Sequence, residues 1–101
     1  MLVITRFRVL EDDETSFAAA LGSVEAALAA APGFLGAETG RNLDDPSLWA
    51  LVTRWADVGS YRRALSSYDV KIAFASLQWR VLEEPSAYEP VTGELNRNVP
   101  R

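Results

Sequence analysis

The chain has 101 residues, 49% of them hydrophobic and 24% charged, with a net charge of −4 and neither histidine nor cysteine. That is the size and composition of one globular domain, and its negative balance argues against a nucleic-acid partner. The two missing residue types exclude disulfides, iron–sulfur clusters, thiolate zinc, catalytic Ser–His–Asp or cysteine centres, and an axial histidine to haem.

Residues 2 to 9 alternate. Val3, Thr5, Phe7 and Val9 share one face, and Ile4, Arg6 and Arg8 share the other, as a strand between two environments requires. The "EDDE" run at 11 to 14 has no calcium-loop spacing and reads as a solvated helix start, where acids oppose the positive end of the helix dipole. Phe17, Leu21, Val24 and Leu28 follow at spacings of four, three and four, which is one helical stripe. Pro32-Gly33 ends that helix.

"FLGAETGRN", 34 to 42, reads as a glycine-containing strand with bulges. Its glycines lack dinucleotide-binding spacing. "LDDP" is a turn. Residues 48 to 55 form a third strand, with Trp49, Leu51, Thr53 and Trp55 on one face and Leu48, Ala50, Val52 and Arg54 on the other. Asp57 is placed to cap a short helix over 58 to 66, with Arg62 and Arg63 solvated on it. "SSYD" interrupts the chain. A second helical piece is expected over 69 to 82, with Val70, Phe74, Leu77 and Val81 as its stripe. "SAYEPV", 86 to 91, is the last expected strand, and 92 to 101 is a polar tail beyond the 1–91 domain.

The order strand, helix, strand, strand, helix, strand is the α+β ferredoxin-like βαββαβ pattern, an antiparallel sheet with helices on one face. The other face would carry Ile4, Arg6, Arg8, Leu48, Val52 and Arg54. A half-apolar sheet face needs cover, so a two-fold homodimer through it is expected. Arg6, Arg8 and Arg54 are expected to pair with Glu38 or with acids of the partner subunit. No apolar run approaches the ~20 residues that span a bilayer. Met1 leads directly into "LVITRFRV" rather than a signal-peptide pattern. A cytoplasmic protein without a membrane partner is therefore expected.

Trp55 and Tyr61 read in two ways. They are core aromatics over the sheet, or they line a cavity between the sheet and the later helices. In the second case Thr5 and Thr53 add hydroxyls from the same sheet face, and Tyr68 and Trp79 approach from the helices. An aromatic pocket with few hydroxyls suits a planar apolar ligand. Without histidine, acid–base work falls to Asp, Glu, Tyr, Lys, Arg, water or the substrate.

Three stretches, "LVITRFRV", "APGFLGAETGR" and "LWALVTRWADVGSYRRAL", give the chain a resemblance to the antibiotic biosynthesis monooxygenase family of the dimeric α/β-barrel superfamily. "PGFLG" at 32 to 36 and the strand-ending Trp55 are its most specific parts, and it covers about residues 1 to 91. The resemblance implies a small dimer that oxidises an aromatic phenol, quinol or anthrone with molecular oxygen, using no cofactor and no metal. It also implies catalytic roles for Trp55, which would shape the pocket and donate a hydrogen bond, and for Tyr61, which would bind the substrate oxygen or assist proton transfer, since anthrone-oxidising members have a tryptophan at this strand end and a tyrosine six residues on. Those members carry asparagine where this chain has Leu51, which would leave Leu51 as an apolar substrate contact. They also use an arginine in the later helix, where the nearest basic residues here are Lys71 and Arg80. Haem-degrading relatives use an asparagine, a tryptophan and a histidine where this chain has Thr5, Ala64 and the stretch around Ile72, so haem degradation is not expected. The alternative to the enzyme is a non-catalytic dimeric module that binds a small ligand. A sealed, packed space behind Trp55 and Tyr61 would favour the module, and an open cavity of a few hundred Å³ would favour the enzyme.

Overall fold

A computed structural model describes residues 1–91. The elements are β1 (Leu2–Arg8), α1 (Glu14–Ala29), β2 (Phe34–Arg41), β3 (Leu48–Trp55), α2 (Val58–Ser66), α3 (Tyr68–Ala75) and β4 (Ala87–Tyr88), with 3-10 turns at Glu11–Asp13 and Gln78–Arg80. The sheet order is β2-β3-β1-β4 and every pairing is antiparallel. This is the expected ferredoxin-like arrangement.

Alternation in β1 and β3 sets the two faces. Val3, Phe7, Trp49, Leu51, Thr53 and Trp55 are buried against the helices. The α1 stripe, Phe17, Leu21, Val24 and Leu28, closes on them. Phe17 meets Phe7 and Trp49 edge-on, with centroids 5.2 and 5.7 Å apart, the geometry that ring quadrupoles favour. The tail of 92–101 lies outside the described residues.

Asp57 caps α2 as its sequence position predicts, accepting from the Ser60 N–H at 2.7 Å. This bond and a second one from the Ser60 side chain hold the Asp57 carboxyl below the ordinary carboxylate range. Ser67 ends α2 and caps α3, which accounts for the "SSYD" interruption.

The second helical piece is shorter than the stripe over 69 to 82 predicts. α3 stops at Ala75, and bonds from Leu77 N–H, Arg80 N–H and Val81 N–H to carbonyls three residues back tighten the chain into the 3-10 turn. Val81 is extended and bridges antiparallel to Phe7. The free edge of β1 competes for this segment and wins. Leu82 N–H donates to the Arg6 carbonyl at 2.8 Å, and Ile4 N–H to the Ser86 carbonyl at 2.7 Å. The last strand is likewise only Ala87–Tyr88, because Pro85 and Pro90 bracket it and neither has an N–H to donate to a ladder.

The arginine pairing also differs from expectation. Arg6 pairs with Glu84 and Arg8 with Asp45, both at 2.6 Å. These acids lie on loops at the sheet margin, within reach of side chains that leave the open face. The "EDDE" run is not wholly solvated either, because Asp13 forms an ion pair with Arg80. That contact ties the start of α1 to the turn after α3.

Gly33 sits at φ +89°, and a Cβ there would collide with the Ser60 side chain. Gly33→Ala should therefore destabilise the fold by about 2 kcal/mol or more. Urea unfolding of the variant beside the parent checks this.

Candidate functional site

A cavity of about 870 Å³ opens between the helix-facing side of β1, helices α2 and α3, and the segment 81–86 that follows the second 3-10 turn. Its size falls within the range of small-molecule sites. Leu65, Val70, Phe74 and Val81 supply an apolar wall. Thr5, Tyr61, Gln78 and Ser86 supply polar groups, and Lys71 and Glu83 supply charge.

Tyr61 lies on the first turn of α2, which the Asp57 cap fixes. Its phenol is held above its ordinary pKa of 10.0 by burial, partly offset by a hydrogen bond with the Ser86 side chain. Near neutral pH it is thus a protonated donor. Behind it stands Trp55, 1% exposed, with ring centroids 5.8 Å apart. Phe34 packs edge-on against the far side of Trp55 at 5.4 Å. The indole N–H of Trp55 donates to Thr53 Oγ1 at 2.9 Å, which satisfies both buried groups.

The residues predicted for the site therefore separate into three sets. Tyr61 and Thr5 line the cavity. Trp55, Thr53 and Leu51 are buried in the core behind it, and Trp55 borders a separate hollow of about 330 Å³ beside Met1, Leu2 and Leu35. Tyr68 and Trp79 do not approach the cavity. They are 75% and 69% exposed on the outer side of α3 and its following turn. Trp79 stacks there on the Arg80 guanidinium, 3.6 Å from the ring centroid. Of the two basic residues near the expected arginine, Lys71 lines the cavity and Arg80 is held by Asp13 and Trp79.

Gln78, Glu83 and Ser86 were not expected at the site. Periodicity gave no signal for them: Gln78 stands in the 3-10 turn, and the chain bends at Glu84, so Glu83 and Ser86 both line the cavity although strand alternation would separate them. Among the described residues no group of three or more Asp or Glu side chains is placed to hold a metal. Among the same residues no helix is long and apolar enough to cross a membrane.

The family model described as antibiotic biosynthesis monooxygenase matches residues 1–76. No curated protein matches the sequence. Among solved structures, a conserved protein from Methanosarcina mazei Go1 is similar at 19% identity and TM-score 0.72, over 82% of each chain. A structure described as an antibiotic biosynthesis monooxygenase is similar at 10% identity and TM-score 0.75, over 92% of this chain and all of that one. A variant of SnoaB, a cofactor-independent oxygenase from Streptomyces nogalater, is similar at 21% identity and TM-score 0.74, over 91% of this chain and 96% of that one. At these identities the structural likeness concerns the fold.

Two outcomes separate wall from core. In an alkaline titration followed by ultraviolet absorbance, Tyr61→Phe should remove the phenol that ionises above the ordinary tyrosine range. The sign follows from that raised pKa: Tyr61 contributes its stability fully below pH 10 and loses it as pH rises through the folded-state value. Trp55→Phe loses a buried hydrogen bond and leaves a small void, and should lower stability by about 2 kcal/mol. Thermal or urea unfolding measures that loss.

Proposed function

The chain belongs to the antibiotic biosynthesis monooxygenase family, and from that premise we propose a cofactor-independent monooxygenase that oxidises a small aromatic phenol, quinol or anthrone with molecular oxygen. The observation that carries this reading is the open cavity in which Tyr61 and Thr5 meet an apolar wall. A flat aromatic fits against Leu65, Val70 and Phe74, and its oxygen faces the Tyr61 and Thr5 hydroxyls.

The chemistry balances without a reductant. Loss of a proton from an anthrone gives a delocalised oxyanion that can reduce oxygen. One oxygen atom enters the methylene carbon, which becomes a carbonyl, and the other leaves as water. The substrate supplies all four electrons. The protein binds the aromatic, orients it and stabilises the anion. Tyr61 donates to the substrate oxygen, and Trp55 is a positioning residue that fixes the tyrosine ring from behind.

The second reading, a binding module without catalysis, is favoured by Leu51. It is buried and apolar where anthrone-oxidising relatives carry asparagine. Oxygen uptake separates the two readings. With no added cofactor and a panel of anthrones and hydroquinones, uptake should exceed the uncatalysed rate. Tyr61→Phe should lower it by about tenfold or more. Uptake at the uncatalysed rate across the panel would favour the module.

A second copy of the chain covers the open sheet face in this proposal. Leu2, Ile4, Leu48 and Val52 are only half-buried there. On the same face the Arg54 and Glu38 side chains form no ion pair among the described residues, which leaves both for a two-fold partner. Sedimentation at micromolar concentration should report a dimer, and Val52→Asp, which puts a charge at the centre of the face, should shift it to monomer.

A further inference from the structure

We propose that Glu83 is the base that ionises the substrate and that Lys71 holds the oxyanion so formed, a step that rests on the cavity being the substrate site described above. The argument begins from the residues that line it. Leu65, Val70, Phe74 and Val81 carry no proton acceptor. Thr5, Ser86 and Gln78 are neutral groups that do not accept a proton near neutral pH. Tyr61 keeps its own proton, because burial raises its pKa. Lysine is an ammonium donor with no acceptor. Glu83 is the only carboxylate among the described residues of the cavity wall, and histidine is absent from the whole chain.

The backbone explains why this one glutamate is available. Segment 81–86 is fastened to β1 by the Val81–Phe7 bridge and by the bonds of Leu82 and Ser86. The chain bends at Glu84, and the two neighbouring glutamates leave it in different directions. Glu84 goes to the open face and pairs with Arg6 at 2.6 Å. Glu83 lines the cavity, and its carboxylate forms no hydrogen bond or ion pair among the described residues. Lys71, the sole lysine of the chain, enters the same cavity from α3. Its ammonium is likewise without a partner among those residues. By contrast Arg6, Arg8 and Arg80 are all paired with acids.

The step is a proton transfer. The acidic C–H or O–H bond of the substrate breaks, its electron pair stays on the substrate as a delocalised oxyanion, and the proton passes to a Glu83 carboxylate oxygen. The oxyanion then lies against the Lys71 ammonium and the Tyr61 hydroxyl. Glu83 returns its proton to the water formed later or to solvent.

Anthrone itself tests this without oxygen. In deuterated buffer under anaerobic conditions, proton NMR follows exchange of its methylene hydrogens. The wild-type protein should accelerate exchange over buffer. Glu83→Gln should slow it by about a hundredfold, Glu83→Asp should retain part of it, and Lys71→Met should slow it by about tenfold. Equilibrium binding of anthrone by the Glu83→Gln variant should match the wild type, which shows that the cavity is intact. Exchange in Glu83→Gln as fast as in the wild type would overturn the proposal, as would wild-type exchange no faster than buffer. With oxygen excluded, failed oxygen uptake and failed exchange are separate results.

Discussion

The outer edge of β1 governs the arrangement of this molecule. A strand in the middle of a sheet needs partners on both sides, since buried N–H and C=O groups without partners are costly. β3 satisfies one side over the whole length of β1. The other side is satisfied only when the chain after α3 abandons its helix, extends at Val81 and runs back to Ala87–Tyr88. That return closes one wall of the cavity. It carries Val81, Glu83 and Ser86 to the cavity that Tyr61 and Lys71 also line. Satisfying the sheet edge thereby builds that wall of the cavity.

The aromatic packing supplies rigidity at the same place. Phe34, Trp55 and Tyr61 stand in a row, each ring tilted or edge-on to the next. The row begins in the sheet and ends at the cavity. Because the Trp55 N–H is already engaged by Thr53, the middle ring has no reason to turn outward. The Tyr61 hydroxyl thus sits at the end of a packed series, on a capped helix rather than a loop.

Much of this was legible in the sequence, and the exceptions share a cause. The faces of β1 and β3, the α1 stripe and the Asp57 cap follow from periodicity and local chemistry, so they stand where the residues predict. The stripe Val70, Phe74, Leu77, Val81 was legible as an inward set but not as a change of backbone, because Val81 faces inward from a helix or a strand alike. Tyr68 and Trp79 were misplaced because α3 is apolar on two sides. Val70 faces the core while Tyr68 and Ile72 face outward, and spacing alone does not say which side meets the sheet. Arg80 was ambiguous for a related reason: its partner Asp13 is 67 positions away. Glu83 was hidden by the same helix-to-strand change, since its orientation exists only once the segment pairs with β1.

The fastening of segment 81–86 has an evolutionary consequence. The segment is fastened to β1 by main-chain hydrogen bonds, which are indifferent to the side chains that face the cavity. Position 83 can therefore drift without loosening the sheet, and position 86 can drift at the cost of one hydrogen bond with Tyr61. Their neighbours on α2 are bound to a cap and an aromatic row and have less freedom. A lineage built on this plan can keep its scaffold and its tyrosine while exchanging the acid, hydroxyl or amide opposite it. Diversification of the cavity lining would then concentrate in the stretch after α3, where side chains can change at little structural risk.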